Sequence, residues 1–238
     1  MSTFIHVIPE GVQAAAGHRV SAERHLREVP RVAAAGWDLE SFAEEQLRGL
    51  VRQLYLAGSK PSRQVVFAAV DSETDVSELC RQAAEALSEE SYGATCLLEA
   101  DFEKPQAVPI KNSDHRSPGL LRDQGVRISN KLWYMPAEVF VGERNGGMSA
   151  SWLRPRLAEF RLEFDHLLIQ APAASITNQA ALLARLCDGL VLVLAANSTR
   201  RAAAQKAKER LMAAHVRLLG TVLTERTFPI PRAIYERV

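Results

Sequence analysis

From Gln64 onward the chain alternates short apolar runs with amphipathic stretches, and this alternation limits its possible folds more than any other feature. The apolar runs predict strands at Gln64–Ala69, Thr95–Glu99, Lys131–Met135, His166–Gln170, Gly189–Ala195 and Leu218–Leu223. Helical periodicity predicts helices over Ser77–Ser88, roughly Ser149–Arg161, Thr177–Leu186 and Thr199–His215. Strands apolar on both faces and separated by helices make a mostly parallel sheet with helices packed on each side, a three-layer α/β fold. The 238 residues suit one such domain over 38–238, after an extension of 1–37 broken by Gly11, Gly17, Pro30 and Gly36. Ser41-x-x-Glu44 reads as a capping box that opens a further helix, carried by Phe42, Leu47, Leu50, Leu54 and Tyr55 to Gly58. Phe102 to Ser129 reads as a polar loop, with a second loop at Asn145-Gly-Gly147.

The junction between the first strand and its helix is the place to look for chemistry. In α/β proteins this turn often cradles a phosphate, using glycines so that backbone N–H groups can close on the anion and a lysine to neutralise it. Here the turn is Val70-Asp-Ser-Glu-Thr-Asp-Val-Ser77, with neither Gly nor Lys. It carries Asp71, Glu73 and Asp75, and Glu78 follows one step into the helix. One carboxylate about 6 Å from one phosphate charge, at an effective dielectric of about 20, is repelled by about 3 kcal/mol. Several carboxylates facing a triphosphate without a lysine abolish tight binding. The same acids suit the positive end of the following helix, at about 0.3–1 kcal/mol each. A calcium loop does not fit, because Val76 stands where that loop needs glycine and Gln82 where it needs glutamate.

Charge and cysteine content exclude other classes. A formal net charge of +1 argues against a general nucleic-acid binder, although nine Arg or Lys face only three Asp or Glu from Thr199 onward. That basic region suits a solvated surface, an acidic partner or an anionic membrane. Cys80, Cys96 and Cys187 lie far apart in apolar settings and read as buried thiols of a reducing compartment, without zinc spacing. The first ten residues lack the basic and apolar regions of a secretory signal, and the longest apolar run, Leu190–Ala196, is too short to span a bilayer. A cytoplasmic location is expected, peripheral to the inner membrane only through a partner. His6, His18 and His25 have no metal-ligand spacing.

Several segments together resemble one family. Leu98-Glu-Ala-Asp-Phe-Glu-Lys-Pro105 is similar to the second acidic motif of the bacterial tyrosine kinases of capsule and exopolysaccharide export (BY-kinases). Phe164-Asp-His-Leu-Leu-Ile-Gln-Ala-Pro172 resembles their Walker B strand. Leu186-Cys-Asp-Gly-Leu-Val-Leu-Val-Leu194 with Ser198-Thr-Arg200, and Leu219-Gly-Thr-Val-Leu-Thr224 with Phe228-Pro-Ile-Pro-Arg-Ala-Ile-Tyr235, resemble the later strands and tail, so the likeness runs from about Glu44 to Tyr235. The resemblance implies a P-loop NTPase fold of the deviant-Walker branch.

Against the family's pattern Gly-x-Gly-Lys-Ser/Thr-Thr, the glycines fall on Glu73 and Asp75, the lysine on Val76 and the hydroxyl pair on Ser77 and Glu78; only Ser77 is kept. The first aspartate of the second motif is Glu99 while Asp101 is retained, and the Walker B aspartate is Gln170. These departures strike charge neutralisation, water or metal positioning, and Mg²⁺ coordination separately. Asp101 is left as a weak candidate for a metal, and no cofactor is expected. The family's subunit-contact pattern Glu-x-x-Arg-x-x-Arg is matched by Glu45 and Arg48, with Val51 next and Arg52 one step late, a helical rotation of about 100°. Tyr235 reads as a packing residue where kinases of this group carry a tyrosine cluster, and Lys104 and Lys111 as solvated lysines. Gly58-Ser-Lys60 precedes its strand and so lies at the wrong sheet end for a phosphate.

The resemblance thus implies a catalytically inactive member acting as an interaction module. Its partner would be the cytoplasmic part of a membrane polysaccharide chain-length regulator or a catalytic paralogue, with homo-oligomer formation open and no nucleic acid. The alternative is a divergent ATPase or tyrosine kinase using ATP and Mg²⁺.

Overall fold

Side chains along each central strand alternate between two hydrophobic cores, one on each face of a single sheet. In β1 (Gln64–Ala69) Val66 and Ala68 enter one core while Val65, Phe67 and Ala69 enter the other. The computed structural model describes residues 39–101, 121–141 and 149–225. Seven strands form the sheet in the order β3-β4-β2-β5-β1-β6-β7. The others are β2 (Thr95–Glu99), β3 (Val126–Arg127), β4 (Leu132–Met135), β5 (His166–Ala171), β6 (Gly189–Ala195) and β7 (Leu218–Thr224). All pairings are parallel except that of the two-residue edge strand β3 with β4.

One face is covered by α1 (Leu39–Val51) and α2 (Ser77–Glu90), whose Leu47, Leu50, Leu79, Ala83 and Leu87 join the core over Val65 and Phe67. The opposite face carries α3 (Leu121–Gln124), α4 (Ala137–Val141), α5 (Ala150–Glu163), α6 (Gln179–Leu186) and α7 (Arg201–Ala213). Here Phe140, Leu153, Leu157, Phe160, Leu183 and Leu211 meet Val66, Leu98, Ile169 and Leu192. This is the expected three-layer α/β fold, and every expected strand is present within one residue of its predicted ends.

Several differences have local causes. The first helix already includes Leu39 and Glu40, so Ser41 and Glu44 lie inside it rather than capping it. It continues into a single π-helical turn, Arg52–Leu56, that seats Leu54 and Tyr55 in the core and lets the Tyr55 hydroxyl donate to the Leu167 carbonyl at 3.3 Å. The 102–129 stretch, expected as loop, contains α3 and β3 within its described part. Arg122 anchors α3 by lying over Trp133 and Phe164, 5.0 and 5.3 Å from the ring centres. Helix α4 had no sequence signal beyond Phe140, which packs against Phe160 and Trp152. Cys80 and Cys96 are buried; Cys187 is partly accessible as a residue, yet burial pushes its thiol up to about 12. The features expected at residues 1–37, Lys104, Lys111, Asn145–Gly147 and Tyr235 lie outside the described residues. No helix among the described residues is long and apolar enough to cross a membrane.

Candidate functional site

The C-terminal ends of β2, β5, β1 and β6 meet at one rim of the sheet, where parallel α/β folds place their ligands. Strand register sets Phe67 of β1, Gln170 of β5 and Glu99 of β2 side by side, and alternation turns all three toward the α2 face. The turn from β1 enters α2 at the same place. Structure therefore brings Glu73, Asp75, Val76, Ser77, Glu78, Glu99 and Gln170 to one rim, with Asp101 half-buried just beyond β2.

Polar groups at this rim bond one another. The Asp71 carboxylate accepts from the Thr74 backbone N–H at 3.1 Å and the Thr74 hydroxyl at 2.9 Å through one oxygen, and from the Thr199 hydroxyl at 3.0 Å through the other. Thr199, in the turn after β6, in turn accepts from the Ala195 N–H at 3.1 Å. Asp71 thus ties the β1–α2 turn to the β6–α7 turn. Asp75 accepts the Ser77 backbone N–H at 2.8 Å, satisfying one of the unpaired donors at the start of α2. Val76 is buried where a lysine would project, and Glu73 is exposed. Glu78 turns along the helix surface to Arg81 and Gln82, and its bond to Arg81 lowers its pKa.

Two further pairs close the rim. The Gln170 side-chain amide donates to the Ser77 hydroxyl at 2.8 Å. The Tyr134 hydroxyl donates to the nearly buried Glu99 carboxylate, and burial followed by that bond raises the tyrosine's pKa. Trp133 is core, whereas Tyr134 reaches the site. Among the described residues no three His, Cys, Asp or Glu side chains come together to hold a metal ion.

Sequence reasoning listed Asp71 among the acids but missed its two hydroxyl partners. The Asp71-x-x-Thr74 spacing is an Asx-turn signal that could have revealed one of them. Thr199 and Tyr134 are brought in by strand order, which no local spacing encodes. The interface candidates, Glu45 and Arg48 on α1 and Arg52 on the π-helical turn, are engaged within the chain. Arg48 pairs with Glu89 at 3.3 Å, and Arg52 with Glu90 at 2.7 Å and Glu45 at 3.5 Å.

No family model matches the chain. Individual proteins do. It is 27% identical over 135 residues to the tyrosine-protein kinase YwqD of Bacillus subtilis, covering 57% of this chain and 50% of that protein. It is 36% identical over 62 residues to the tyrosine-protein kinase CpsD of Streptococcus agalactiae, covering 26% of this chain and 27% of that protein. The matches thus span half or less of these curated relatives. In structure the chain resembles the chimerical protein CapA2B2 (TM-score 0.62, 17% identity, 78% of this chain and 86% of that one). It also resembles the VpsO kinase domain (TM-score 0.56, 17% identity, 79% and 98%) and the MinC:MinD cell division complex of Aquifex aeolicus (TM-score 0.52, 14% identity, 74% and 72%). The fold is that of the P-loop NTPases.

Proposed function

We propose that this chain, a relative of the bacterial tyrosine-protein kinases with the fold of their kinase domains, is a catalytically inactive member that works by docking rather than by phosphoryl transfer. One observation carries the reading: Asp71 holds the β1–α2 turn closed with Thr74 and Thr199, in the place where a phosphate would need unpaired backbone donors. Phosphoryl transfer is almost wholly positioning and charge stabilisation, so a turn with four nearby carboxylates and no lysine removes its main term. Gln170 cannot supply the anionic ligand that a Walker B aspartate gives Mg²⁺, and its amide is committed to Ser77.

The resemblance to kinases of capsule and exopolysaccharide export sets the setting. The protein acts in the cytoplasm, at the cytoplasmic part of a membrane polysaccharide chain-length regulator or beside a catalytic paralogue. The alternative, a divergent ATP- and Mg²⁺-dependent kinase or ATPase, draws on the named activity of YwqD and CpsD and on the retained Ser77 and Asp101.

Incubation with Mg²⁺ and ATP labelled on the γ-phosphate separates the two. The inactive reading predicts no label on the chain and no phosphate release above buffer; steady turnover abolished by Asp101→Ala supports the alternative. Restoring the motif by Glu73→Gly, Asp75→Gly, Val76→Lys and Gln170→Asp together is expected to bring back nucleotide binding on the unchanged scaffold.

A further inference from the structure

We propose that the outer surface of α5, α6 and α7 seats the protein directly on an anionic lipid surface. The two helical layers have opposite charge. The α1–α2 layer, with its π-helical turn, carries seven acidic and three basic residues. The α5–α7 layer carries eight basic and three acidic residues. With Arg122 and Asp123 of α3 and Glu138 of α4 that face has nine basic and five acidic residues, so among the described helices the two faces still differ in sign.

In the acidic layer all three arginines are bridged: Arg48 to Glu89, Arg52 to Glu45 and Glu90, Arg81 to Glu78 and Glu85. In the basic layer Arg156 is bridged to Glu159 and Arg161 to Asp188, while α7, held by two buried side chains, Ala207 and Leu211, presents Arg201, Lys206, Lys208 and Arg210 at its surface, the last donating to the Ser175 carbonyl at 3.4 Å. The carboxylate of Glu209, its one acid, accepts from the Gln205 amide.

Exposed apolar side chains favour lipid over an acidic protein. Leu162 on α5 is 89% exposed and Met212 on α7 is 55% exposed. Each of α5, α6 and α7 runs back to the N-terminal end of the strand that follows it. Topology therefore brings the ends of α5, α6 and α7, with Leu162, Arg185 and Met212, toward one end of the layer, where the Arg161 guanidinium also pairs with Asp188 at 2.9 Å. Cationic groups around protruding apolar side chains match the boundary between anionic headgroups and acyl chains. A second copy of this chain is the weaker occupant, since five of the seven acids in its complementary layer already bond their own arginines.

Co-sedimentation of the full chain with vesicles tests this, using phosphatidylcholine alone and phosphatidylcholine mixed with phosphatidylglycerol. Binding is expected only to the anionic mixture and is expected to fall with salt. Each lost positive charge lowers the partition coefficient about fivefold, so Lys206→Gln with Lys208→Gln costs about 25-fold. Adding Arg201→Gln and Arg210→Gln costs more than about 100-fold. The charge-matched control Arg48→Gln with Arg81→Gln, both in the α1–α2 layer, leaves binding within about twofold. Leu162→Ser with Met212→Ser lowers binding at high salt about tenfold. Circular dichroism checks that each variant is folded, and the double lysine variant decides if the quadruple one is not. Equal binding to both vesicles, no binding, or equal loss in the control overturns the proposal. So does salt-sensitive self-association in the ultracentrifuge that the lysine variant abolishes, which would assign the surface to a second copy.

Discussion

The two ends of the central strand β1 are wired alike, and in a nucleotide-binding protein they would not be. At the N-terminal end the Asp188 carboxylate accepts from the Arg63 and Gln64 backbone N–H groups at 2.7 and 2.8 Å and from the Arg161 guanidinium at 2.9 Å. At the C-terminal end the Asp71 carboxylate likewise takes one backbone N–H and two hydroxyls. The first arrangement is structural: it joins β1, α5 and the start of β6 across the rim where no ligand is expected. A phosphate site needs its donors left open until the anion arrives. The C-terminal rim instead satisfies the Thr74 and Ser77 N–H groups within the chain, as a structural rim does. On the proposed inactive reading, a turn without glycine or lysine is matched by a carboxylate that stands in for an anion.

Substitutions at the two rims should break this comparison to different degrees. Asp188→Ala strands two backbone donors and the Arg161 guanidinium, and is expected to lower unfolding free energy by about 3 kcal/mol in urea titration. Gly189→Ala comes next. At this rim Gly189 has a φ of 155°, and an added Cβ would stand 2.6 Å from the Arg217 carbonyl; a loss of about 2 kcal/mol is expected, read as a lower midpoint at unchanged slope. Asp71→Ala removes comparable bonds at the more open rim and should cost about 1 kcal/mol. That variant should also speed hydrogen exchange at Thr74, whose N–H loses its acceptor. A larger loss at Asp71 than at Asp188 would reverse the ranking of the rims.

The smallest expected effect is a pH dependence at the N-terminal rim. His166 contacts Ser91 through Nε2 at 2.8 Å, and its ring lies edge-on to Tyr55. Burial lowers its pKa, opposed by nearby Asp165 and reinforced by Arg63. The unfolded histidine therefore binds its proton first. Stability from this group is complete above about pH 6.5 and is lost as pH falls toward the lower folded value. Urea titrations at pH 5.5 and 7.5 (the values are about one pH unit either side of the unfolded pKa) should show less stability in acid, with the difference reduced in His166→Gln.

The sheet was legible because its strands are buried on both sides. Gln64–Ala69 and Gly189–Ala195 read as apolar runs of strand length, and each is a strand over those same residues. Short elements were not legible. Val126 and Arg127 are exposed edge residues whose pairing with Tyr134 and Trp133 comes from tertiary contact, and α4 is one turn held by Phe140 in the core. At the rim, residue types announced what a phosphate site would lack. They did not announce what replaced it, because the partners of Asp71 and Glu99 come from β6–α7 and β4, far along the sequence. The helix was expected to reach Gly58, but the π form of its last turn, Arg52–Leu56, was hidden, since π-helical hydrogen bonding has no composition of its own.

Isothermal titration of the unmodified protein with ATP in excess Mg²⁺ tests the central claim most directly. A rim whose Thr74 and Ser77 N–H groups are already satisfied and whose turn is acidic predicts no saturable heat up to millimolar nucleotide. A one-site isotherm at micromolar affinity, lost in Ser77→Ala, would mean that the Asp71 bridge opens for a phosphate and would contradict the account.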